Sequence, residues 1–163
     1  MSKKTSEPMV CLWDQREKQP WDAIPGVVMR RVYLDAGDYT TEILQGRAVL
    51  ERKSIEDFAS SITHGRERFE DEIRRLRGYW RRAIIVEGEI GEVWRTAAVH
   101  PHSVIGSCAS FLARSDCPVL FAGTRLAAAR LAFGVLRRWE ERLEAERGGQ
   151  AAVSPNEGKA VDA

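Results

Sequence analysis

A continuous apolar run from Ala83 to Val86 is the feature that most constrains how this chain can fold. Three of its four residues are β-branched, which favours a strand. Because no polar residue interrupts the run, both faces of that strand are expected to be buried. A second apolar run, Pro118 to Ala122, has the same character. These runs predict a sheet with helices packed on both of its faces.

The hydrophobic period changes at Ser54, which divides the chain into two kinds of segment. Before it, strand-like stretches follow each other closely, and the last three predict an antiparallel meander; they are 9–13, 27–34, 39–44 and 48–53. After it, helical patterns alternate with the two apolar runs; they are 55–64, 66–80, 103–114 and 125–146. The sequence therefore predicts an α/β fold with a mixed sheet flanked by helices.

The composition is typical of one globular domain and restricts the classes of partner that the protein can bind. The chain has 163 residues, a formal net charge of +1 and a pI near 7.8. This balance excludes a histone-like protein that binds its partner through bulk positive charge. No apolar run is long enough to span a membrane, and three cysteines without a CxxC pair favour a reduced, cytoplasmic setting. We expect a flexible N-terminus (1–8), one domain (9–147) and a disordered tail (148–163).

One group of charged residues has the composition of a catalytic site. Asp38 follows a turn, and Glu51 and Lys53 lie two residues apart on the next predicted strand, so their side chains share one face. Two carboxylates on one face suit Mg²⁺ or Mn²⁺, and a neighbouring ammonium helps to orient a water. That set is what phosphodiester hydrolysis needs. The alternative is a common turn followed by a common surface tripeptide, since D-x(n)-E-x-K also occurs by chance.

Further residues around this group resemble the motifs of a known protein family. The stretch resembles the nuclease domain of XPF-type structure-specific endonucleases, a branch of the PD-(D/E)XK nuclease superfamily. The family's G-D, E-R-K-x-x-x-D and D-x-R-E signatures stand here as Gly37-Asp38, Glu51-Arg52-Lys53 with Asp57, and Asp14-Gln15-Arg16-Glu17. The resemblance covers about residues 10–123 and implies a restriction-endonuclease-like fold. Glu72 stands where some relatives carry Gln.

The resemblance implies a role for each matching residue. Asp14, Asp38, Glu51 and the backbone carbonyl of Arg52 would hold Mg²⁺ or Mn²⁺, and Lys53 would position the attacking water. Arg16 would contact phosphate, with Glu17 orienting it, while Arg52 would hold the site together through ion pairs. Asp57 has either a site role or the role of N3 capping acid behind Ser54. Arg66 and Arg68 are both candidates for the residue that contacts the DNA backbone in the family. The spacing to Arg52-Lys53 favours Arg66, whereas the spacing to Arg75-Leu76 favours Arg68.

The implied function is a metal-dependent DNA endonuclease that cuts near duplex–single-strand junctions, in repair, recombination or mobile-element processing. A catalytically silent DNA-binding or dimerisation partner is the first alternative, and a junction resolvase or nicking enzyme of the same superfamily is the second. In the family a helix-hairpin-helix module usually follows the long helix; residues 148–163 are too few to form one, so we expect this chain to lack it. The sequence contains no GxxxxGK[ST] motif, so we expect no nucleotide cofactor. The resemblance also implies a homodimer formed through the C-terminal part of the domain, although the apolar side of helix 125–146 could instead cover its own sheet.

Overall fold

The structure is a computed structural model that describes residues 7–97 and 99–151. Strands and helices alternate in its second half, as the sequence predicts. The strands are β1 (Met9–Asp14), β2 (Val27–Val32), β3 (Tyr39–Thr41), β4 (Ala48–Ser54), β5 (Arg81–Glu87) and β6 (Val119–Phe121). The helices are α1 (Ile55–Ile62), α2 (Arg66–Leu76), α3 (Ile90–Ala97), α4 (Pro101–Ser115) and α5 (Arg125–Ala151).

All the strands join one mixed sheet in the order β2-β1-β3-β4-β5-β6. The pairs β1–β2, β4–β5 and β5–β6 are parallel, whereas β3 is antiparallel to both β1 and β4. The interior strand β5 lies between β4 and β6 and carries Ile84, Ile85 and Val86, all with no exposed surface. The predicted mixed α/β sheet with helices on both faces is therefore confirmed.

The predicted antiparallel meander is wrong in its first strand. β2 pairs with β1 rather than with β3, and it runs parallel to β1 at the edge of the sheet. A parallel neighbour needs a long return connection, and the irregular segment between Asp14 and Val27 provides it, with Met9 N donating to Gly26 O at 2.9 Å. Only the β3–β4 hairpin keeps the expected arrangement, and residues 42–47 form its turn rather than a continuation of β3.

Two apolar clusters lie on opposite faces of the sheet. Leu50 and Ile85 point to the face covered by α5, whose buried residues there include Phe133 and Leu136. Their neighbours Val49 and Ile84 point to the other face, where residues of α1, α2, α3 and α4 complete the second cluster. This alternation is the period of two expected of strands that are buried on both sides. The apolar side of α5 thus covers its own sheet.

Several helices begin at a residue whose side chain accepts a hydrogen bond from the first turn. Ser54 accepts a hydrogen bond from Asp57 N at 3.0 Å, Thr124 accepts one from Ala127 N at 3.1 Å, and His100 caps α4. Helix α3 was not predicted from the sequence, and α5 continues past its expected end at residue 146. The rest of the predicted tail (152–163) and most of the predicted flexible N-terminus (1–6) lie outside the described residues. Of the helices in ranges 7–97 and 99–151, none combines the length and apolar character needed to cross a membrane.

Candidate active site

A cleft of about 630 Å³ opens at one end of β1 and β4, between the loop that follows β1 and the helices α1 and α2. Most of the sequence-predicted site residues line it. They are Asp14, Arg16, Glu17, Asp38, Glu51, Arg52 and Asp57. Residues distant along the chain therefore meet in one place, as the family resemblance implies.

The β3–β4 hairpin places Asp38 beside Glu51. Asp38 N donates to Leu50 O at 2.8 Å, and the Asp38 carboxylate accepts from Arg52 N at 2.7 Å. Gly37 makes this approach feasible, because its φ is +72° and a Cβ there would lie 2.2 Å from Val49 Cγ2. The Gly-Asp pair is thus a backbone requirement of the site.

Asp38 and Glu51 form a carboxylate pair whose ionisation is opposed. Burial raises the pKa of Asp38, and the nearby charges of Glu17 and Asp14 add to the effect. Burial likewise raises the pKa of Glu51, and the charge of Asp38 raises it further. A divalent cation held by Asp38 and Glu51 would offset these penalties, so the two carboxylates fit a hard, oxygen-preferring ion.

Asp14 has a different environment from this pair. Its Oδ1 accepts from Arg16 N at 2.8 Å and Arg16 Nε at 2.7 Å, while its Oδ2 accepts from Leu34 N at 2.7 Å and Arg16 Nη2 at 3.2 Å. Burial opposes ionisation of Asp14, but the hydrogen bonds from Arg16 and Leu34 outweigh it and hold its pKa below the usual range. Asp14 thus anchors Arg16 at the cleft, with both oxygens occupied.

The expected metal set is therefore only partly assembled. Across residues 7–97 and 99–151, no group of three His, Cys, Asp or Glu side chains is arranged to hold a metal ion. Asp38 and Glu51 meet as predicted, and the difference lies at Asp14, whose lone pairs are taken by Arg16 and Leu34. A fourth donor from this chain, the backbone carbonyl of Arg52, follows Glu51 directly.

Lys53 lies on the same face of β4 as Glu51, as the period of two predicts. Its Nζ is 3.6 Å from Glu51 Oε1 and 3.3 Å from Glu72 Oε2, and it sits 4.6 Å above the centre of the Phe69 ring. Glu72 lines the cleft from α2, and the sequence did not predict its contact with Lys53. The ammonium is thus fixed between two carboxylates over an aromatic face.

Arg52 points to the opposite face of β4 and holds several segments together. Its guanidinium binds Glu87 through Nε at 2.8 Å and Nη2 at 2.7 Å, and reaches Glu17 Oε1 at 3.3 Å. Arg52 thus forms the predicted ion pairs, and Glu87 is a partner that the sequence did not predict. The only signal for it was a charged residue directly after the apolar run of β5. The expected role of Glu17 is wrong, because Glu17 pairs with Arg52 whereas Asp14 holds Arg16.

The structure separates the two candidate DNA contacts. Arg66 turns away from the cleft, pairing with Glu70 at 3.0 Å and reaching Ser107 of α4 at 3.5 Å. Arg68 is 82% exposed in its side chain and lies 3.9 Å from Glu72, next to the cleft. Asp57 lines the cleft, and it is its backbone N–H, rather than its carboxylate, that bonds to Ser54.

Basic side chains also stand at the cleft itself. Besides Arg16, the lining includes Lys18 and Arg75, both exposed. Neither was among the predicted site residues, although Arg75 belongs to the Arg-Leu pair used for spacing. A cleft with carboxylates on its floor and cations at its edge can receive a phosphodiester backbone while it holds a cation.

Comparison with known proteins places these features in a family. A family model described as the ERCC4 domain matches residues 14–133. XPF from Aeropyrum pernix has a TM-score of 0.65 and 25% sequence identity, over 78% of this chain and 64% of that chain. The complex of XPF from Aeropyrum pernix with DNA has a TM-score of 0.64 and 23% identity, over 82% of this chain and 66% of that chain. This chain therefore spans just under two thirds of the length of those chains. No curated protein sequence matches it at a significant level.

Proposed function

Because the chain belongs to the ERCC4 domain family, with a match over residues 14–133, we propose that it is a metal-dependent DNA endonuclease. One observation carries the proposal. Asp38 and Glu51 are half-buried and line the same cleft, where burial raises the pKa of each carboxyl, and the Lys53 ammonium lies behind them, 3.6 Å from Glu51 Oε1. A divalent cation satisfies such a pair, and a phosphodiester is the substrate that needs this combination of charges.

Each side chain of the site has a distinct proposed role in metal binding or catalysis. Asp38, Glu51 and the Arg52 carbonyl would hold Mg²⁺ or Mn²⁺, which when bound supplies charge neutralisation at the phosphate and activation of a water. Asp14 would join this set only by giving up bonds to Arg16. The Lys53 ammonium, held by Glu72, orients the attacking water and stabilises the negative charge that develops on the phosphate.

DNA is the proposed substrate, and the basic edge of the cleft supports it. Arg16, Lys18 and Arg75 present three cations around the carboxylate floor, and guanidinium groups donate paired hydrogen bonds to phosphate. The name of the second solved structure, a complex with DNA, supports the same substrate class. We further propose a preference for flap-like or fork-like junctions, in repair, recombination or mobile-element processing.

The experiment is cleavage of end-labelled DNA. Flaps, forks, nicked duplex and plain duplex are incubated with Mg²⁺ or Mn²⁺, with and without EDTA, beside Glu51→Ala, Lys53→Ala and a control, Glu67→Ala, on the exposed side of α2. We expect cleavage of the branched substrates by the wild type and by the control only. Cleavage that persists in EDTA or in either site variant would exclude this centre.

The same assay separates the alternative of a silent DNA-binding partner. Salt-sensitive binding without cleavage in any metal would favour that alternative, because phosphate contacts alone give a strong salt dependence. The homodimer is a separate proposal, with the exposed Leu126 and Leu131 of α5 as candidate contacts. Light scattering on the purified chain tests it, and a monomer at micromolar concentration would contradict it.

A further inference from the structure

The basic edge of the cleft is carried by an irregular segment that must be held in place. Residues 15–21 follow β1 without regular secondary structure, and they include Arg16 and Lys18. A segment of this kind opens locally at low free-energy cost unless its backbone groups are bound elsewhere. Arg16 is held by its bonds to Asp14, so the contacts that bind the far end of the segment decide where Lys18 lies.

Trp21 at that end is buried and donates its backbone N–H to Tyr39 Oη at 2.9 Å, while the backbone carbonyls before it are bound by Arg125, the first residue of α5. Its guanidinium donates to Gln19 O at 3.2 and 3.3 Å from its two Nη atoms, and also to Pro20 O. The same group reaches Glu87 Oε1 at 3.3 Å. One side chain of α5 thus ties the segment to the end of β5.

Glu87 is the point at which three segments meet. Its Oε1 accepts from Trp21 Nε1 at 2.5 Å and Arg52 Nε at 2.8 Å, and its Oε2 accepts from Arg52 Nη2 at 2.7 Å. Arg52 stands next to Glu51 in β4, so the carboxylate connects the segment with the strand that carries the site. The side chains of Glu87 and Arg52 are only 12% and 7% exposed, which makes these charged hydrogen bonds strong.

We infer that Arg125, acting together with Glu87, is a positioning residue that holds the far end of the 15–21 segment so that Lys18 faces the phosphate of a bound DNA. The inference rests on the proposed nuclease function for its substrate. Arg125 lies outside the catalytic centre, and its contribution is to order the edge of the cleft before DNA arrives.

The test compares Arg125→Gln with a matched variant, Arg137→Gln. Arg137 also belongs to α5 and also donates to a backbone carbonyl of the same connection, Gly26 O at 3.2 Å, but it does so away from the cleft. The first readout is limited trypsinolysis of the native protein, in which mass spectrometry follows the cut after Lys18. We expect cutting about tenfold faster in Arg125→Gln and near the wild-type rate in Arg137→Gln.

The second readout is steady-state cleavage of a flap substrate by the same proteins. We expect KM to rise about tenfold in Arg125→Gln, with kcat changed less than about threefold, and both constants unchanged in Arg137→Gln. Equal proteolysis of the two variants, or an unchanged KM in Arg125→Gln, would overturn the inference. A wild type that cuts no DNA in any metal would instead refute the proposed function, and the trypsin result would still decide whether Arg125 holds the segment.

Discussion

Replacing Gly37 by alanine tests whether the turn before Asp38 is a backbone requirement. Gly37 has a φ of +72°, and an added Cβ would lie 2.2 Å from Val49 Cγ2 and 3.1 Å from Leu50 O. Val49 is 1% exposed and cannot move aside without disturbing the core. Gly46 offers a matched control, because its φ is +73° and nothing lies within 4 Å of its added Cβ.

The expected cost is the sum of two effects. The left-handed backbone costs an alanine roughly 1–2 kcal/mol at either glycine. Only Gly37→Ala adds the overlap with Val49, and overpacking of a core costs typically about 1–3 kcal/mol more. We therefore expect Gly37→Ala to lower the free energy of unfolding by about 2–5 kcal/mol, and Gly46→Ala by about 1–2 kcal/mol.

Urea denaturation followed by circular dichroism measures both values. The same preparations are assayed for DNA cleavage, where we expect a loss only in Gly37→Ala, because displacement of the turn moves Asp38 away from its bond to Arg52 N. Equal denaturation midpoints for the two variants would refute the reasoning, since they would show that the space beside Val49 does not constrain the turn.

Three further predictions concern capping, pH and DNA contacts. Ser54→Ala removes the N-cap of α1 and should cost about 1 kcal/mol in urea denaturation, against almost nothing for the exposed Ser60→Ala. Burial opposes ionisation of Glu87, but hydrogen bonds from Arg52 and Trp21 hold its pKa below 4.5, so its stabilisation is complete above that pH and is lost in acid. Glu87→Gln should thus be less stable than the wild type at pH 7, with a gap that narrows below pH 4.5. Arg68→Gln should reduce the salt slope of DNA binding by about 1, and Arg66→Gln should not.

A specific result would contradict each of these three predictions. Equal midpoints for the two serine variants would show that the Ser54 hydroxyl does not stabilise α1. A stability gap for Glu87→Gln that is constant from pH 7 to acid would show that its charge is not the stabilising form. A reduced salt slope in Arg66→Gln alone would reverse the assignment of the two arginines.

Much of the fold follows from local pattern. The run from Ala83 to Val86 has the composition of a doubly buried strand, and β5 lies between β4 and β6 with helices on both faces. The order of the other strands has no such local signal, because strand propensity does not record which neighbour a strand will choose. The composition of segment 27–32 predicts a strand whether its neighbour is β1 or β3. It pairs with β1 because the preceding connection returns the chain to the start of β1.

The site was predictable to the extent that its residues follow fixed spacings. The alternation of Glu51 and Lys53 in one strand is enough to place them on one face, and the Gly-Asp turn brings Asp38 to them. Contacts between distant segments lie beyond such reasoning. Glu72, Glu87 and Arg125 are ordinary charged residues in sequence, and only the packing of α2, β5 and α5 around β4 gives them partners. The occupied oxygens of Asp14 likewise depend on Leu34, twenty residues away.

Binding of Mn²⁺ to the purified protein tests the central claim most directly, because the claim is that Asp38 and Glu51 form a cation site. Titration calorimetry is carried out on the wild type, on Asp38→Asn, on Glu51→Gln and on a surface control, Asp71→Asn. We predict saturable binding in the wild type and the control, and loss of that binding in both site variants. Equal Mn²⁺ affinity in all four proteins, or none in the wild type, would contradict the account.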